Sequence, residues 1–303
     1  MGLAADRLGR VARTDTLTWR LALANLAAQI LIVVTGGLVR LTGSGLGCST
    51  WPLCEPGSFT PVFHEATSYH AFVEFGNRTL TGVLAAVALA LLVALIRTRA
   101  PRPQRALGWA VIALIGVQAV VGGLSVHLEL HPAVVGLHMY VSFVLIAVSA
   151  YLVSLIRFAG VPTRAPSYAP LAWVLAGAGA VLMFLGVLTT GTGPHSGDDD
   201  APYRFALDPL AITRAHSGSA WLFLGLLAAT VWASWKAGDG LRRWTALAVL
   251  VVVQGALGYA QYFTGLPIWL VLAHMFLAAC LVAALTLTLA GLWRSAATGR
   301  PAA

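Results

Sequence analysis

Eight apolar stretches, each about 20 residues long or longer, constrain this chain more than any other feature. They run over 21–39, 70–96, 106–126, 132–156, 168–191, 215–235, 244–264 and 268–292. A backbone in hydrocarbon must satisfy its own hydrogen bonds, so each stretch reads as a transmembrane helix. Composition agrees: 58% of the 303 residues are apolar and 10% are charged, against roughly 25% charged in an ordinary soluble domain. A soluble enzyme of this composition would lack polar surface to cover itself, and disorder is excluded by the same figures. The expected fold class is an all-α polytopic membrane protein with eight transmembrane helices. No small-residue cleavage site follows the first apolar run, which is read as a full span rather than a signal peptide.

Charge placement predicts the orientation. With the N-terminus inside, 15 of the 19 basic residues fall on inner segments, and only Arg40, Arg78, Arg204 and Arg214 lie outside. Eight of the 11 acids fall on the outer side. Such asymmetry over short loops is the positive-inside pattern, and it places both termini in the cytoplasm. The pI near 10 is then a consequence of topology and calls for no nucleic-acid partner.

The chain also repeats itself. Residues 117–122 read VQAVVG and residues 253–258 read VQGALG. Gln118 and Gln254 are separated by 136 positions, as are His138 and His274. The first span ends TGSG (42–45) and the fifth TGTG (190–193). Outer loops alternate long, short, long, short. Two pseudo-symmetric four-helix bundles of the same hand are expected, an N-terminal half over 15–160 and a C-terminal half over 165–295.

All eight histidines fall on the outer half of this topology: His64, His70, His127, His131, His138, His195, His216 and His274. Polar residues inside a span are costly and usually functional. His138 and His274 are each expected six residues inside their helices and His216 about one. His216 with His274 suits axial ligation of one haem, which needs two imidazoles from different helices at similar depth. The small residues Ala215, Ser217, Gly218, Ser219 and Ala220 leave room for a flat macrocycle. Zinc fits less well, because no cysteine or acid is spaced to complete a tetrahedral site. In the N-terminal half His138 is the counterpart of His274, and the counterpart of His216 falls near Asn77. His70 and Glu74 share a helix face with Asn77. Glu74 inside a span should face the bundle interior, as a proton acceptor or donor, as the partner of Arg78 one turn later, or as both. Arg40, Arg78 and Arg214 sit at outer span ends, where they would pair with haem propionates or simply snorkel. Cys48 and Cys54, in the first outer loop, are predicted to form a disulfide. Cys280 reads as packing.

The phrase GGLVRLTGSGLGCSTWPLC (36–54), with EFGNR (74–78), GLHM (136–139), an arginine just before His216, and His274 in the last span, resembles haem A synthase. The similarity extends from about residue 20 to 290. It implies a bacterial plasma-membrane enzyme that oxidises a ring methyl of haem O to a formyl group, making haem A for cytochrome oxidase. It implies haem b as a cofactor held by the histidines matching His216 and His274. The substrate haem would sit on the histidine matching His138, near the outer face, with the family's catalytic glutamate at Glu74 and its cysteine pair at Cys48 and Cys54. Haem O synthase and cytochrome oxidase assembly factors are candidate partners. Asn77 departs from the pattern: the family has E-x-x-H-R, and this chain has E-x-x-N-R. Either the substrate iron is five-coordinate on His138, with Asn77 hydrogen-bonding on the open face, or His70 substitutes. Two other classes compete. A plain electron-transfer cytochrome b would carry two complete histidine pairs, and a haem carrier would also suit duplicated halves.

Overall fold

A computed structural model describes residues 15–63, 68–158, 165–200 and 203–295. His64 and the basic residues Arg7, Arg10, Arg13, Arg164 and Arg300 lie outside them. The described residues form eight helices, each long and apolar enough to cross a membrane. They are α1 (Thr16–Leu41), α2 (Tyr69–Arg97), α3 (Arg102–His127), α4 (Pro132–Arg157), α5 (Ala169–Thr192), α6 (Pro209–Ala237), α7 (Leu241–Phe263) and α8 (Ile268–Ser295). The chain is an all-α polytopic membrane protein.

Local chemistry sets the helix ends. Proline in the first turn, whose missing N–H costs nothing there, opens α3, α4, α5 and α6. Asp15 caps α1 by accepting from the Thr18 amide at 3.0 Å, and the bonds from Thr18 hold its carboxyl below the usual range. Asp208 caps α6 by accepting from the Leu210 amide at 2.9 Å. That cap corrects one sequence expectation. The apolar run begins near residue 215, yet the helix begins at Pro209, because capping and a first-turn proline start a helix without apolar residues. His216 therefore lies seven positions past its helix start, beside six for both His138 and His274. At 1.5 Å per residue all three reach a similar depth, about 10 Å.

The helices pack as two linked bundles. In the first half α1, α2, α3 and α4 form a closed ring. In the second, α5, α6, α7 and α8 follow in series, and α5 touches α8 more lightly than α1 touches α4. Three pairs join the halves: α4 with α5, α8 with α1, and α4 with α8. Exchanging the halves turns the first pair into the second and leaves the third unchanged, as a pseudo-twofold axis requires. An apolar core lies on that junction, built by Leu26 and Val33 of α1, Phe143 and Ile146 of α4, and Ala279 and Ala283 of α8. Each half adds its own cluster, around Val111 and Ile115 in the first and around Phe223 and Trp244 in the second.

The described residues of loops 42–63 and 193–208 gather at one end of the bundle, the long-loop end. The first is held by the Cys48–Cys54 disulfide, with both cysteines buried. The second crosses to the other half: the Gly45 amide donates to the Gly197 carbonyl at 2.7 Å. Arg40 of α1 donates to the carbonyls of Thr190 and His195.

Candidate functional site

A cavity of about 1680 Å³ runs through the long-loop end of both halves, larger than the 300–1,000 Å³ typical of one small-molecule site. Its wall includes His138, Asn77 and Glu74 in the first half and His216 and His274 in the second.

Each histidine is seated on a glycine of the preceding helix. A Cβ at Gly122 would lie 3.2 Å from His138 Cε1, one at Gly186 3.1 Å from His216 Cε1, and one at Gly258 3.1 Å from His274 Cε1. These contacts are tighter than nine in ten real Cβ contacts, so each imidazole can bring its Cε1 edge this close to the helix because glycine is there. Asn77 occupies the fourth place. Its Nδ2 lies 4.0 Å from where a Gly36 Cβ would be, and its Oδ1 accepts from Thr35 Oγ1 at 2.8 Å.

The duplicated glutamines complete the frame. Gln118 Nε2 donates to the His138 carbonyl at 3.1 Å, and Gln254 Nε2 donates to the His274 carbonyl at 3.0 Å. Nδ1 of all three rings is buried without a well-formed hydrogen bond. The carbonyls of Leu182 and Gln254, each one turn before a seating glycine, interact with the rings of His216 and His274. Two imidazoles from α6 and α8 at similar depth, with open space beside the cavity-lining Gly255, could hold a planar metal macrocycle between them. Among the described residues no three acids, cysteines or histidines cluster as a metal site, so a zinc-like cage is not formed there.

Glu74 is buried, and both its oxygens are engaged. Oε2 accepts from the Cys48 amide at 2.7 Å, and Oε1 accepts from Arg78 Nε and Nη2 at 3.1 and 2.5 Å. Arg78 Nη1 donates to the carbonyls of Thr50 and Leu53. This carboxylate–guanidinium pair therefore straps the disulfide loop onto α2. The loop in turn lowers Trp51 onto Gly123 of α3, with ring atoms 2.5 to 2.7 Å from where a Cβ would be. Trp51, Pro52 and Phe59 roof the first half's part of the cavity. The phrase 36–54 contains Trp51, but its role was not legible there, because its partner is 72 positions away.

His70 is not among the cavity-lining residues; its Nδ1 shares a 2.8 Å hydrogen bond with Ser44. The three arginines also separate. Arg78 and Arg40 line the cavity with most of their donors spent on carbonyls and Glu74. Arg214 lines it too, is exposed, and has no side-chain partner among the described residues. The four seating glycines were the other omission. Gly122 and Gly258 stood in the repeated phrase, but their partners were invisible without the helix pairing.

Comparisons with known proteins place the sequence beside one family. The COX15-CtaA family model, described as a cytochrome oxidase assembly protein, matches residues 19–196. A heme A synthase from Bacillus pumilus is 34% identical over 133 residues, 43% of this chain and 41% of its own length. One from Geobacillus thermodenitrificans is 33% identical over 131 residues, 41% of this chain and 38% of its own. The chain thus spans about two-fifths of the length of these two curated relatives. A heme A synthase from Bacillus licheniformis is 25% identical over 273 residues, 84% of this chain and 89% of its own. With more than half of its residues covered by the family model, the chain belongs to the COX15-CtaA family of cytochrome oxidase assembly proteins.

Proposed function

We propose that this protein is a haem A synthase, oxidising a ring methyl of haem O to a formyl group in the N-terminal half with the help of a haem b held in the C-terminal half. One observation carries the reading. Four glycine-backed positions surround one cavity, and they hold a histidine pair in one half but a histidine and an asparagine in the other. A two-haem electron-transfer cytochrome would use matched pairs in both.

His216 and His274 would hold haem b, which supplies one-electron redox chemistry when bound. His138 would hold the substrate from one face. Asn77, its oxygen held by Thr35, is left with its amide N–H groups to donate toward the other face. Asn77 does not bind iron as histidine does, so the face on its side would be left open to the reaction. Glu74, on the cavity wall, holds or moves a proton at Oε1 or Oε2 while Arg78 keeps the carboxylate in place. Trp51, Pro52 and Phe59 cover it from above, where they would limit water. Arg214, the arginine with uncommitted donors, is suited to pair with propionates at the cavity mouth.

The charge distribution supports a plasma-membrane orientation with both termini cytoplasmic and the long-loop end outside, where Cys48–Cys54 can stay oxidised. Haem O synthase, as supplier, and cytochrome oxidase assembly factors, as recipients, are the partners this activity needs. The test is extraction and chromatography of haems from purified protein made with and without a haem O source. Haem b alone, becoming haem b plus haem A when haem O is supplied, is the expected result. Haem b in both cases, with haem O neither bound nor converted, would make the protein an electron-transfer cytochrome instead.

A further inference from the structure

The two halves differ where their cavities meet the lipid. In the C-terminal half the seam between α6 and α7 is spanned by Trp221 and Tyr259. Trp221 Nε1 donates to the Tyr259 hydroxyl at 2.9 Å. Both side chains line the cavity, and both are exposed on the outer surface of the bundle, at 62% and 43%. They therefore form one layer between cavity and membrane.

Among the described residues the first half has no such layer. Aligning Asn77 with His216 places Gly82 at the position of Trp221. Aligning His138 with His274 places Gly123 at the position of Tyr259. Gly123 is covered from above by Trp51, but Gly82 lines the cavity, is exposed, and has nothing within 4 Å of its Cβ direction. The neighbouring wall residue on α3, Ala119, is also small. The α2–α3 and α6–α7 pairs pack to the same extent, so the difference lies in side chains and not in helix spacing.

We infer that Trp221 and Tyr259 latch the C-terminal half so that its haem stays resident, while the unlatched α2–α3 seam at Gly82 is the lateral route by which a lipid-borne haem enters the N-terminal half and leaves it. The occupant is a planar tetrapyrrole with an apolar chain, which partitions into the bilayer and needs no aqueous entrance. This inference rests on the functional reading above.

Haem exchange tests it independently of turnover. Full-length protein carrying haem b is placed in nanodiscs with excess apomyoglobin as scavenger, and transfer is followed by absorbance. Loss of one hydrogen bond in Tyr259→Phe should speed haem release up to roughly tenfold. Trp221→Gly, which removes the layer itself, should speed it more. In the second arm, vesicles loaded with iron protoporphyrin IX supply the N-terminal half. Gly82→Trp should slow uptake of the second haem about tenfold or more without changing resident haem b. Haem-bearing wild type with unchanged rates in all three variants overturns this inference alone. A wild type that holds no haem overturns the functional reading and this inference with it.

Discussion

Asn77 holds the place in the first half that corresponds to His216 in the second, and its geometry says what the difference does. The side chain keeps the fourth glycine-backed position but is shorter than histidine, and Thr35 orients its amide. Asn77→His should therefore supply a second axial ligand and convert the substrate-haem spectrum from high-spin to low-spin. A spectrum that does not change would remove Asn77 from the iron's open face. Glu74 is less simple, because it both straps the loop and faces the cavity. Glu74→Gln should cost about 2 kcal/mol, the loss of a charge-assisted bond, keep haem binding, and abolish haem A formation. Arg78→Ala separates the two roles. It breaks the same strap yet leaves the carboxylate, so it should retain measurable haem A synthesis in extracted haems. Equal loss in both variants would reduce Glu74 to a strap.

At the scale of elements, each seating glycine is a prediction in itself. Gly258→Ala puts a methyl 3.1 Å from His274 Cε1, so the ring must shift by a few tenths of an ångström against a packed helix. The haem b absorption and its redox potential should move while total helix content does not, readable by optical titration and circular dichroism. The Cys48–Cys54 bridge closes a loop of about seven residues, worth about 2 kcal/mol by chain entropy. Cys48→Ser should accordingly loosen 42–63, seen as faster proteolysis within that segment with α1 and α2 intact. The helices themselves were legible in the sequence, since length and hydropathy decide a span with no tertiary information. So were the histidines of α4 and α8 and their repeat. The depth of His216 was not, because α6 is started by Asp208 and Pro209, six residues before its apolar run. Nor were the roles of Trp51, Arg40 and Gly186. Each acts through a partner on another helix or loop, and hydrophobic patterning carries no record of which helices become neighbours.

The molecule as a whole is two sites on one core. The apolar cluster that joins α1, α4 and α8 belongs to neither half alone. Above it, Arg40 of the first half holds the Thr190 and His195 carbonyls of the second, and the His195 ring reaches the Leu266 carbonyl of the α7–α8 turn at 3.2 Å. A bundle whose core crosses its own pseudo-symmetry axis has no plane along which one half can unfold while the other persists. Haem bound in the C-terminal half should thus stabilise the N-terminal half as well. At a free ligand concentration 100 times Kd the gain is about 2.7 kcal/mol, and it should raise a single melting transition rather than split it. Two reporters decide this: a fluorophore on the 42–63 loop and one on the 264–267 turn, melted with and without haem b in the same detergent. Coincident transitions that rise together are expected, and His274→Ala should remove the rise at both positions. A haem-dependent shift at 264–267 with none at 42–63 would mean that the halves fold as independent units, and that the shared core does not couple them.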